Sequence, residues 1–191
     1  MLNLAETDEE IAARVQGGDT ESFALLVERY EEKMLRYARK FLFGLEDAED
    51  LVQEVFLKAY VNIHGFNTWR RFSPWLYRIA HNEFVNFIKK RGREPVLFFD
   101  PDTLFPHPLS SDYADREVLT KELKEALEAC LDKLHPKYRE PLVLYFFEDL
   151  NYQEISEILQ IPISTVGVRL KRGKDTLRKI YADIHHIKYE Q

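Results

Sequence analysis

Basic side chains gather in two separate segments of this chain, and their chemistry is that of binding phosphates and bases. Residues 68–93 contain seven Lys or Arg against one acidic residue, and residues 164–191 contain seven against three. The whole chain nevertheless has a formal net charge of −6, which argues against a general polyanion binder. Local basic surfaces, rather than net charge, are typical of nucleic-acid binding. The two segments therefore predict two contacts with one long nucleic acid.

The second basic segment belongs to a predicted helix-turn-helix. Asn151 and Glu154 have the spacing of a capping box, with which a first short helix begins. Pro162 cannot continue that helix, and Ser164 is predicted to cap a second, basic helix. Two short helices joined by a tight turn, the second one basic, form a DNA-reading unit. The outward face of the second helix is predicted to carry Thr165, Val168, Arg169, Arg172, Thr176 and Lys179.

The residue types on this second helix suit a DNA groove. Arg can pair bidentately with guanine, whereas Lys, Ser and Thr mostly contact phosphates, and the helix start at Ser164 offers backbone N–H groups. The alternative is a solvated basic helix that closes a bundle. Its inward face is predicted to be Val166, Leu170, Leu177, Ile180 and Ile184. Gln160 stands where many such turns use Gly, because a left-handed backbone costs other residues about 1 kcal/mol. Another turn conformation is therefore an open alternative.

A polar face is also predicted on the helix over residues 74–93. Ser73 can cap this helix, and Pro74 suits its first position. Residues that step by three or four share one face, opposite the apolar one; they are Trp75, Arg78, Asn82, Asn86, Lys89 and Arg93. Amides and cations beside an aromatic ring suit unstacked single strands. The alternative is a solvated edge, and for Trp75 alone packing is the favoured interpretation.

The helix over residues 47–58 has a mostly acidic exposed surface, which would repel phosphate. Asp47 is predicted to cap its start. The polar residues of this surface are Asp47, Glu49, Asp50, Gln53, Glu54 and Lys58. A solvated face is the ordinary explanation for such a run of charge, and a basic protein partner is the more specific one.

Apolar residues at helical spacing predict an all-α protein. Such faces recur along residues 23–41, 48–59 and 76–88, and again between residues 119 and 147. Pro136 opens the last of these helices, and Pro141 inside it predicts a kink or a later start.

The segment between the two helical regions has a different composition. Residues 92–115 contain Pro95, Pro101, Pro106 and Pro108 together with several aspartates, which predicts an acidic, Pro-rich linker. We expect two small helical domains, residues 1–93 and 116–191, joined by a flexible linker over residues 94–115.

Composition and spacing argue against several other classes. Cys130 is the only cysteine, so an internal disulfide or a cysteine-based zinc site is excluded and a cytoplasmic protein is expected. No apolar run approaches the length of a membrane span, and the acidic first residues do not have the pattern of a secretory signal. The glycines before Lys174 lack the spacing of a phosphate loop, and the histidines lack metal-ligand spacing. We predict no catalytic residues, no metal, no cofactor and no enzyme activity.

Three segments together resemble a known family. They are DAEDLVQEVFLKAY (47–60), FSPWLYRIAHNEFVNFIKK (72–90) and YREPLVLYFFEDLNYQEISEILQIPISTVGVRLKRGKDTLRK (138–179). In this order and spacing they resemble the extracytoplasmic-function group of bacterial sigma factors. The similarity covers residues 20–93, which look like sigma region 2, and residues 116–181, which look like region 4.

The resemblance implies a function and a set of partners. The chain would be an alternative sigma factor that binds core RNA polymerase, through the clamp helices of the largest subunit and through the flap, and directs promoter recognition and DNA opening. Polymerase binding would fall to Asp47, Asp50, Gln53 and Glu54. Contact with the −10 element would fall to Arg71, Trp75, Arg78, Asn82, Asn86 and Lys89. Contact with the −35 element would fall to Ser164, Thr165, Val168, Arg169, Arg172 and Lys174. The family also makes an anti-sigma factor an expected partner.

Some positions depart from the family pattern, and two rival functions stay open. Gly167 stands where relatives often carry Lys or Arg, Gly173 replaces a frequent Ala, and Ser156 replaces a common small apolar residue. A conventional regulator, with a helical sensor, would bind an operator by itself and form no stable polymerase complex. A helical adaptor would bind polymerase without reading promoters, which Gly167 and Gln160 make conceivable.

Overall fold

The computed structural model describes residues 6–42, 47–90 and 130–185, and every regular element in these ranges is helical, as predicted. The α-helices are α1 Asp8–Gln16, α2 Phe23–Leu42, α3 Ala48–Asn62, α4 Phe72–Lys90, α5 Pro136–Phe146, α6 Tyr152–Leu159 and α7 Ile163–His185. Short 3₁₀ helices cover Thr20–Ser22, Ile63–Gly65 and Leu131–Lys133. Within the described ranges, no helix is both long and apolar enough to cross a membrane.

The chain divides into two compact units, Met1–Glu94 and Pro95–Gln191. The predicted linker and the apolar residues between 119 and 129 lie outside the described residues. The three-part domain organisation, with its limits at residues 93 and 116, therefore stays a prediction.

Helices α1 to α4 pack around an aromatic core in the first unit. Tyr37 of α2 is fully buried, and its ring centroid lies 5.3 Å from that of Tyr77 and 5.4 Å from that of Phe84, both on α4. Offset and edge-to-face pairs of this kind stabilise a core beyond the area that they bury. The buried face of α3 is the one that its spacing predicted: Ala48, Leu51, Val52, Val55, Phe56 and Ala59.

Two predicted helix starts in the first unit differ from the structure. Helix α4 begins at Phe72, so Ser73 and Pro74 lie inside its first turn and Ser73 is not its cap. The N–H of Phe72 instead donates to Glu9 Oε1 of α1, at 2.7 Å. A carboxylate from another helix thus does the work expected of a local side chain. Asp47 does precede α3, but its side chain makes no capping hydrogen bond.

Helices α5, α6 and α7 make up most of the described part of the second unit, and Cys130 is buried there. Helix α5 begins at Pro136 and continues through Pro141, which excludes the later start. The capping box of α6 is confirmed: the N–H of Asn151 donates to Glu154 Oε2 at 2.8 Å, and the N–H of Glu154 donates to Asn151 Oδ1 at 3.0 Å. The inward placement of Ile184 is wrong, because this side chain is 41% exposed.

Candidate nucleic-acid interface

A short turn projects from the first unit between α3 and α4. Its residues, 67–71, are called the exposed turn below. Asn67 shapes it: the N–H of Trp69 donates to Asn67 Oδ1 at 3.0 Å, and the N–H of Arg70 donates to the Asn67 carbonyl at 2.9 Å. Asn suits such a position because its side chain can accept a hydrogen bond from the backbone two residues on. The turn is therefore closed by its own first residue.

Trp69 at the tip of the exposed turn was missed by the sequence analysis. Its side chain is 95% exposed, the highest value among the large hydrophobic residues described as exposed. Arg70 and Arg71 follow it and are exposed as well. An aromatic plane beside two cations can stack on an unpaired base while the cations meet phosphates. Its position could have indicated exposure, because Trp69 does not belong to any of the predicted apolar helix faces.

Four of the six residues of the polar face predicted on α4 are exposed, and Arg93 lies outside the described residues. Arg78, Asn82, Asn86 and Lys89 are all exposed, and together they follow one side of the helix away from the buried face. Arg71 of the exposed turn precedes this helix directly. The turn and the helix thus present cations, amides and one aromatic ring on neighbouring stretches of chain, which is the chemistry that a separated strand needs.

Trp75 differs from its neighbours on this predicted face. Its side chain is half-buried, and its ring centroid lies 5.1 Å from that of Phe66 and 5.4 Å from that of Phe72. Phe66 and Phe72 are both buried, on either side of the exposed turn. The packing interpretation of Trp75 is therefore the one that the structure supports, and the ring holds the base of the turn.

One salt bridge joins the acidic helix α3 to the basic helix α4. Lys58 of α3 and Glu83 of α4 are joined by a salt bridge of 2.5 Å between Nζ and Oε2. Lys58 is the only cation of α3, and Glu83 is the only acid of α4. The salt bridge thus neutralises the one residue of opposite sign on each helix. The remaining charged side chains are acidic on α3 and basic on α4.

The acidic surface of α3 borders an apolar groove. Asp50, Gln53 and Glu54 are exposed, and Asp47 is partly so. Helices α2 and α3 enclose the groove, whose volume is about 610 Å³. Its lining is mainly apolar, with Leu57 59% exposed, and its residues are Phe23, Val27, Glu31, Leu35, Glu49, Val52, Gln53, Phe56, Leu57 and Tyr60. An apolar strip with an acidic rim is suited to a protein partner with basic and apolar side chains.

The turn of the helix-turn-helix is left-handed at Gln160, with φ 55° and ψ 42°. The alternative turn conformation is therefore wrong, and the backbone adopts the strained conformation at a cost of about 1 kcal/mol. Ser156 offsets part of that cost. Its hydroxyl donates to the Ile161 carbonyl at 2.6 Å, and its own carbonyl accepts from the N–H of Ile161 at 3.2 Å. Ser156 thus has a positive role that an apolar side chain could not fill.

Helix α7 begins at Ile163, one residue before the predicted cap. The Pro162 carbonyl accepts hydrogen bonds from the N–H groups of Thr165 at 2.9 Å and Val166 at 3.1 Å. Pro162 therefore occupies the cap position, which needs no N–H of its own, and the capping role predicted for Ser164 is wrong. Ser164 lies in the first turn and is half-buried.

Two residues predicted for the outward face of α7 are buried. Thr165 is fully inaccessible and Arg169 is only 3% exposed, so their outward placement is wrong. The reason is that α7 packs against both α5 and α6. A helix with two neighbours buries a wider part of its circumference than a helix with one. Arg139, Glu140 and Glu154 are buried charged residues of the same unit, so Arg169 belongs to a polar interior.

The exposed side of α7 has a different set of residues. Lys171 and Arg172 are exposed, and Val168 and Lys174 are partly exposed. Lys171 was missed, because the predicted face was rotated toward Arg169. Val168 and Arg172 lie four residues apart and share a face, so the described surface retains one apolar and one bidentate contact for bases, with Lys171 and Lys174 beside them for phosphates.

Comparisons with known proteins agree with these two units. The family model for Sigma-70 region 2 matches residues 26–94, and the model for Sigma-70, region 4 matches residues 124–177. The ECF RNA polymerase sigma factor SigW of Bacillus subtilis (strain 168) is 35% identical over 179 residues, which cover 90% of this chain and 95% of that protein. The ECF RNA polymerase sigma-E factor of Escherichia coli (strain K12) is 32% identical over 178 residues, with coverage of 90% and 92%.

A solved structure shares the fold. In the complex of CnrH with the cytosolic domain of CnrY, a chain aligns with a TM-score of 0.65 at 24% identity, covering 92% of this chain and 97% of that chain. The likeness extends across both helical units and supports the all-α architecture.

Proposed function

This chain belongs to the extracytoplasmic-function group of the sigma-70 family, and from that premise we propose which of its residues carry out each part of a sigma factor's work. It is an alternative sigma factor, which binds core RNA polymerase and directs promoter recognition and DNA opening at the start of transcription. The assignment of residues rests on exposure, charge and contacts in the two units.

The exposed turn and α4 receive the −10 element as its strands separate. Trp69 stacks on an unpaired base, and Arg71 and Arg78 bind the adjoining phosphates. Asn82, Asn86 and Lys89 continue the contact along α4. Opening is driven by differential binding, since a base held by the turn offsets the few kcal/mol that unstacking costs. The observation that carries this proposal is the Trp69 side chain, 95% exposed beside consecutive arginines.

Helix α7 reads the −35 element from its exposed side. Arg172 and Val168 contact base edges, while Lys171, Lys174 and Ser164 in the first turn of α7 bind phosphates. Thr165 and Arg169 act from the interior, where they fix the orientation of α7. The capping box and the left-handed Gln160 set the angle between α6 and this reading helix.

The acidic surface of α3 and its groove bind the polymerase. Asp47, Asp50 and Glu54 supply the charge, Gln53 adds an amide beside them, and the apolar lining around Leu57 supplies the buried area. Association of this kind is steered by charge and held by apolar contact. The partner surface is the clamp helices of the largest subunit, with the flap as a second contact, both as the resemblance implies.

The proposal also covers catalysis, localisation and regulation. The chain supplies binding free energy and no bond-breaking chemistry, because the polymerase synthesises the RNA; it is therefore not an enzyme. It works in the cytoplasm, where polymerase and chromosome meet. An anti-sigma factor is its expected regulator, and the groove between α2 and α3 is exposed enough to receive one.

Run-off transcription with purified core polymerase tests the function. The full chain is mixed with core enzyme and a library of promoter sequences at low salt, and the transcripts are sequenced. We expect promoter-specific transcripts that require the added chain. Operator binding by the free chain without any polymerase complex would favour a conventional regulator, and polymerase binding without promoter selection would favour an adaptor.

Charge reversal tests the polymerase surface. The double variant Asp50→Lys, Glu54→Lys should lose co-purification with core polymerase while it keeps the helical circular dichroism of the original chain. Glu28→Lys with Glu32→Lys is the matched control, since these exposed acids have the same spacing but lie on α2, outside the acidic surface of α3. Equal co-purification of both double variants would refute the acidic surface as the binding site.

A further inference from the structure

The first helix holds both ends of the segment that carries the exposed turn. Gln16 Nε2 donates to the carbonyl oxygens of Ile63, at 2.7 Å, and Phe66, at 2.8 Å. At the other end, Glu9 Oε1 accepts from the backbone N–H of Phe72, at 2.7 Å. The exposed turn lies between these two attachments. Its shape is therefore set by α1 as well as by the helices that it connects.

The spacing of the two side chains on α1 suits this role. Glu9 and Gln16 are seven residues apart, which places them on one face of the helix about 10 Å apart along its axis. Ile11 and Val15 between them are buried. Helix α1 thus packs its apolar stripe into the core while two polar groups reach the backbone on either side of the turn.

Helix α1 is itself firmly attached to α2. Asp8 accepts a hydrogen bond from the Tyr30 hydroxyl at 2.5 Å and pairs with Arg29 at 2.7 Å. Burial, and then the neighbouring Asp8 carboxylate, raise the pKa of the Tyr30 hydroxyl well above its ordinary value, so this group keeps its proton and donates. Because α2 holds α1 in place, the side chains of α1 can hold the backbone on both sides of the exposed turn in place.

The matched region-2 residues, 26–94, do not include α1. The hydrogen bonds from Gln16 span 47 and 50 positions along the chain, and that from Phe72 spans 63. All three involve main-chain groups of the segment around the turn, so they constrain its path whatever side chains it carries. Trp69 itself is almost fully exposed and has little packing to fix it.

We propose that Glu9 and Gln16 are positioning residues for promoter opening. They hold the exposed turn in the shape that receives an unstacked base, so that less conformational freedom is lost when the strand binds. The inference rests on the proposed function, because it concerns the turn that carries Trp69. It adds a contribution from a helix outside the matched region.

Four substitutions test the proposal in the full chain bound to core polymerase. Gln16→Glu replaces the donating amide with an acceptor that faces two carbonyl oxygens. Glu9→Leu removes the acceptor, and Glu9→Gln retains one. Ala13→Glu is the charge control. Ala13 is exposed on α1, and its substitution adds the same negative charge as Gln16→Glu. The probe is a fluorescent single strand with the −10 sequence of a promoter selected by run-off transcription.

We expect Gln16→Glu and Glu9→Leu to weaken binding of this strand about tenfold, the equivalent of one or two lost hydrogen bonds. Glu9→Gln and Ala13→Glu should bind as the original chain does. Affinity for −35 duplex and for core polymerase should stay unchanged in all four variants. Equal strand affinity for Gln16→Glu and Ala13→Glu would overturn the proposal.

A double-variant cycle separates positioning from general stability. In the background of Trp69→Ala, Gln16→Glu should cause little further loss of strand affinity, because both act through the same turn. Fully additive losses would contradict the proposal. A second measurement is the fluorescence anisotropy of Trp69 in a Trp75→Phe chain, which should fall when Gln16→Glu frees the turn. Failure of the original chain to bind strand or polymerase would instead remove the proposed function itself.

Discussion

The two units place their candidate DNA-binding residues on different kinds of surface. In the first unit, the residues lie on an exposed turn and along a helix face that the core leaves uncovered. In the second unit, the reading helix is held by two neighbours, and part of its predicted face is interior. Charge spacing on a helix therefore locates a binding surface only when the packing of that helix is also known. Buried cations can have the same spacing as exposed ones.

Two arginines of α7 should show the largest difference between an interior and an exposed cation. Arg169→Ala should lower the free energy of unfolding of the second unit by about 2–3 kcal/mol, because it removes a charged hydrogen-bonding group from the interior. Arg172→Ala should change stability by less than about 0.5 kcal/mol and weaken −35 binding by about 1–3 kcal/mol. Urea titration followed by circular dichroism measures the first effect, and duplex binding measures the second.

The opposite pattern would restore the original prediction for Arg169. If Arg169→Ala unfolded at the urea concentration of the original chain and lost discrimination among −35 sequences, the side chain would be a base contact. Both tryptophans belong to the first unit, so their fluorescence reports that unit separately and serves as an internal control for the urea titration.

The two tryptophans of the first unit should differ in the same way, one in binding and one in packing. Trp69→Ala should weaken binding of a single −10 strand by about 1–3 kcal/mol, the usual contribution of one stacked base, and leave stability unchanged. Trp75→Ala should instead destabilise the unit by about 2 kcal/mol, since its ring packs on Phe66 and Phe72. Strand binding and thermal unfolding of each variant distinguish the two roles. Equal loss of stability would show that Trp69 is packed.

The turn of the helix-turn-helix provides a smaller effect. Ser156→Ala should destabilise the second unit by about 1 kcal/mol, because the Ile161 carbonyl loses its hydroxyl donor. Thr176→Ala is the control, since its hydroxyl donates to the Arg172 carbonyl at an exposed site. Urea midpoints measure both. A Ser156→Ala chain as stable as the original would mean that the left-handed turn needs no such support.

The smallest expected effect is at Gly173. Helix propensity alone predicts that Gly173→Ala stabilises α7 by about 0.5–1 kcal/mol. A Cβ at this position would lie 2.8 Å from Leu142 Cδ1 and 3.4 Å from Tyr138 Cβ. Leu142 is fully buried and has little room to move, so we expect no gain in stability or a slight loss. If thermal unfolding instead showed the full stabilisation expected from helix propensity, Leu142 of α5 would have moved aside at little cost.

Much of the fold followed from the sequence, because local patterns and tertiary packing agree there. The spacing on α3 predicted its complete buried face, and the capping box at Asn151 set the start of α6. Other starts could not be predicted from a capping side chain: α4 is capped by Glu9, 63 positions away in the chain, and α7 uses the Pro162 carbonyl, a backbone group that every residue type carries.

The candidate site was predictable where exposure follows from a single buried stripe. Arg78 and Asn82 on α4 satisfy that condition. Thr165 and Arg169 do not, because a second neighbour covers them. Trp69 lies in a turn, where periodicity gives no information about direction. The residues that hold the turn, Glu9 and Gln16, act across long stretches of chain and leave no local pattern.

The ion pair between Lys58 and Glu83 has a consequence for how the protein approaches its partners. By cancelling the one cation of α3 and the one acid of α4, it leaves this pair of helices with exposed charge of opposite sign, which is an electric dipole across the pair. In the field of a polyanion such a body experiences a torque as well as an attraction. The torque favours orientations in which α4 faces the template while α3 is engaged with the polymerase.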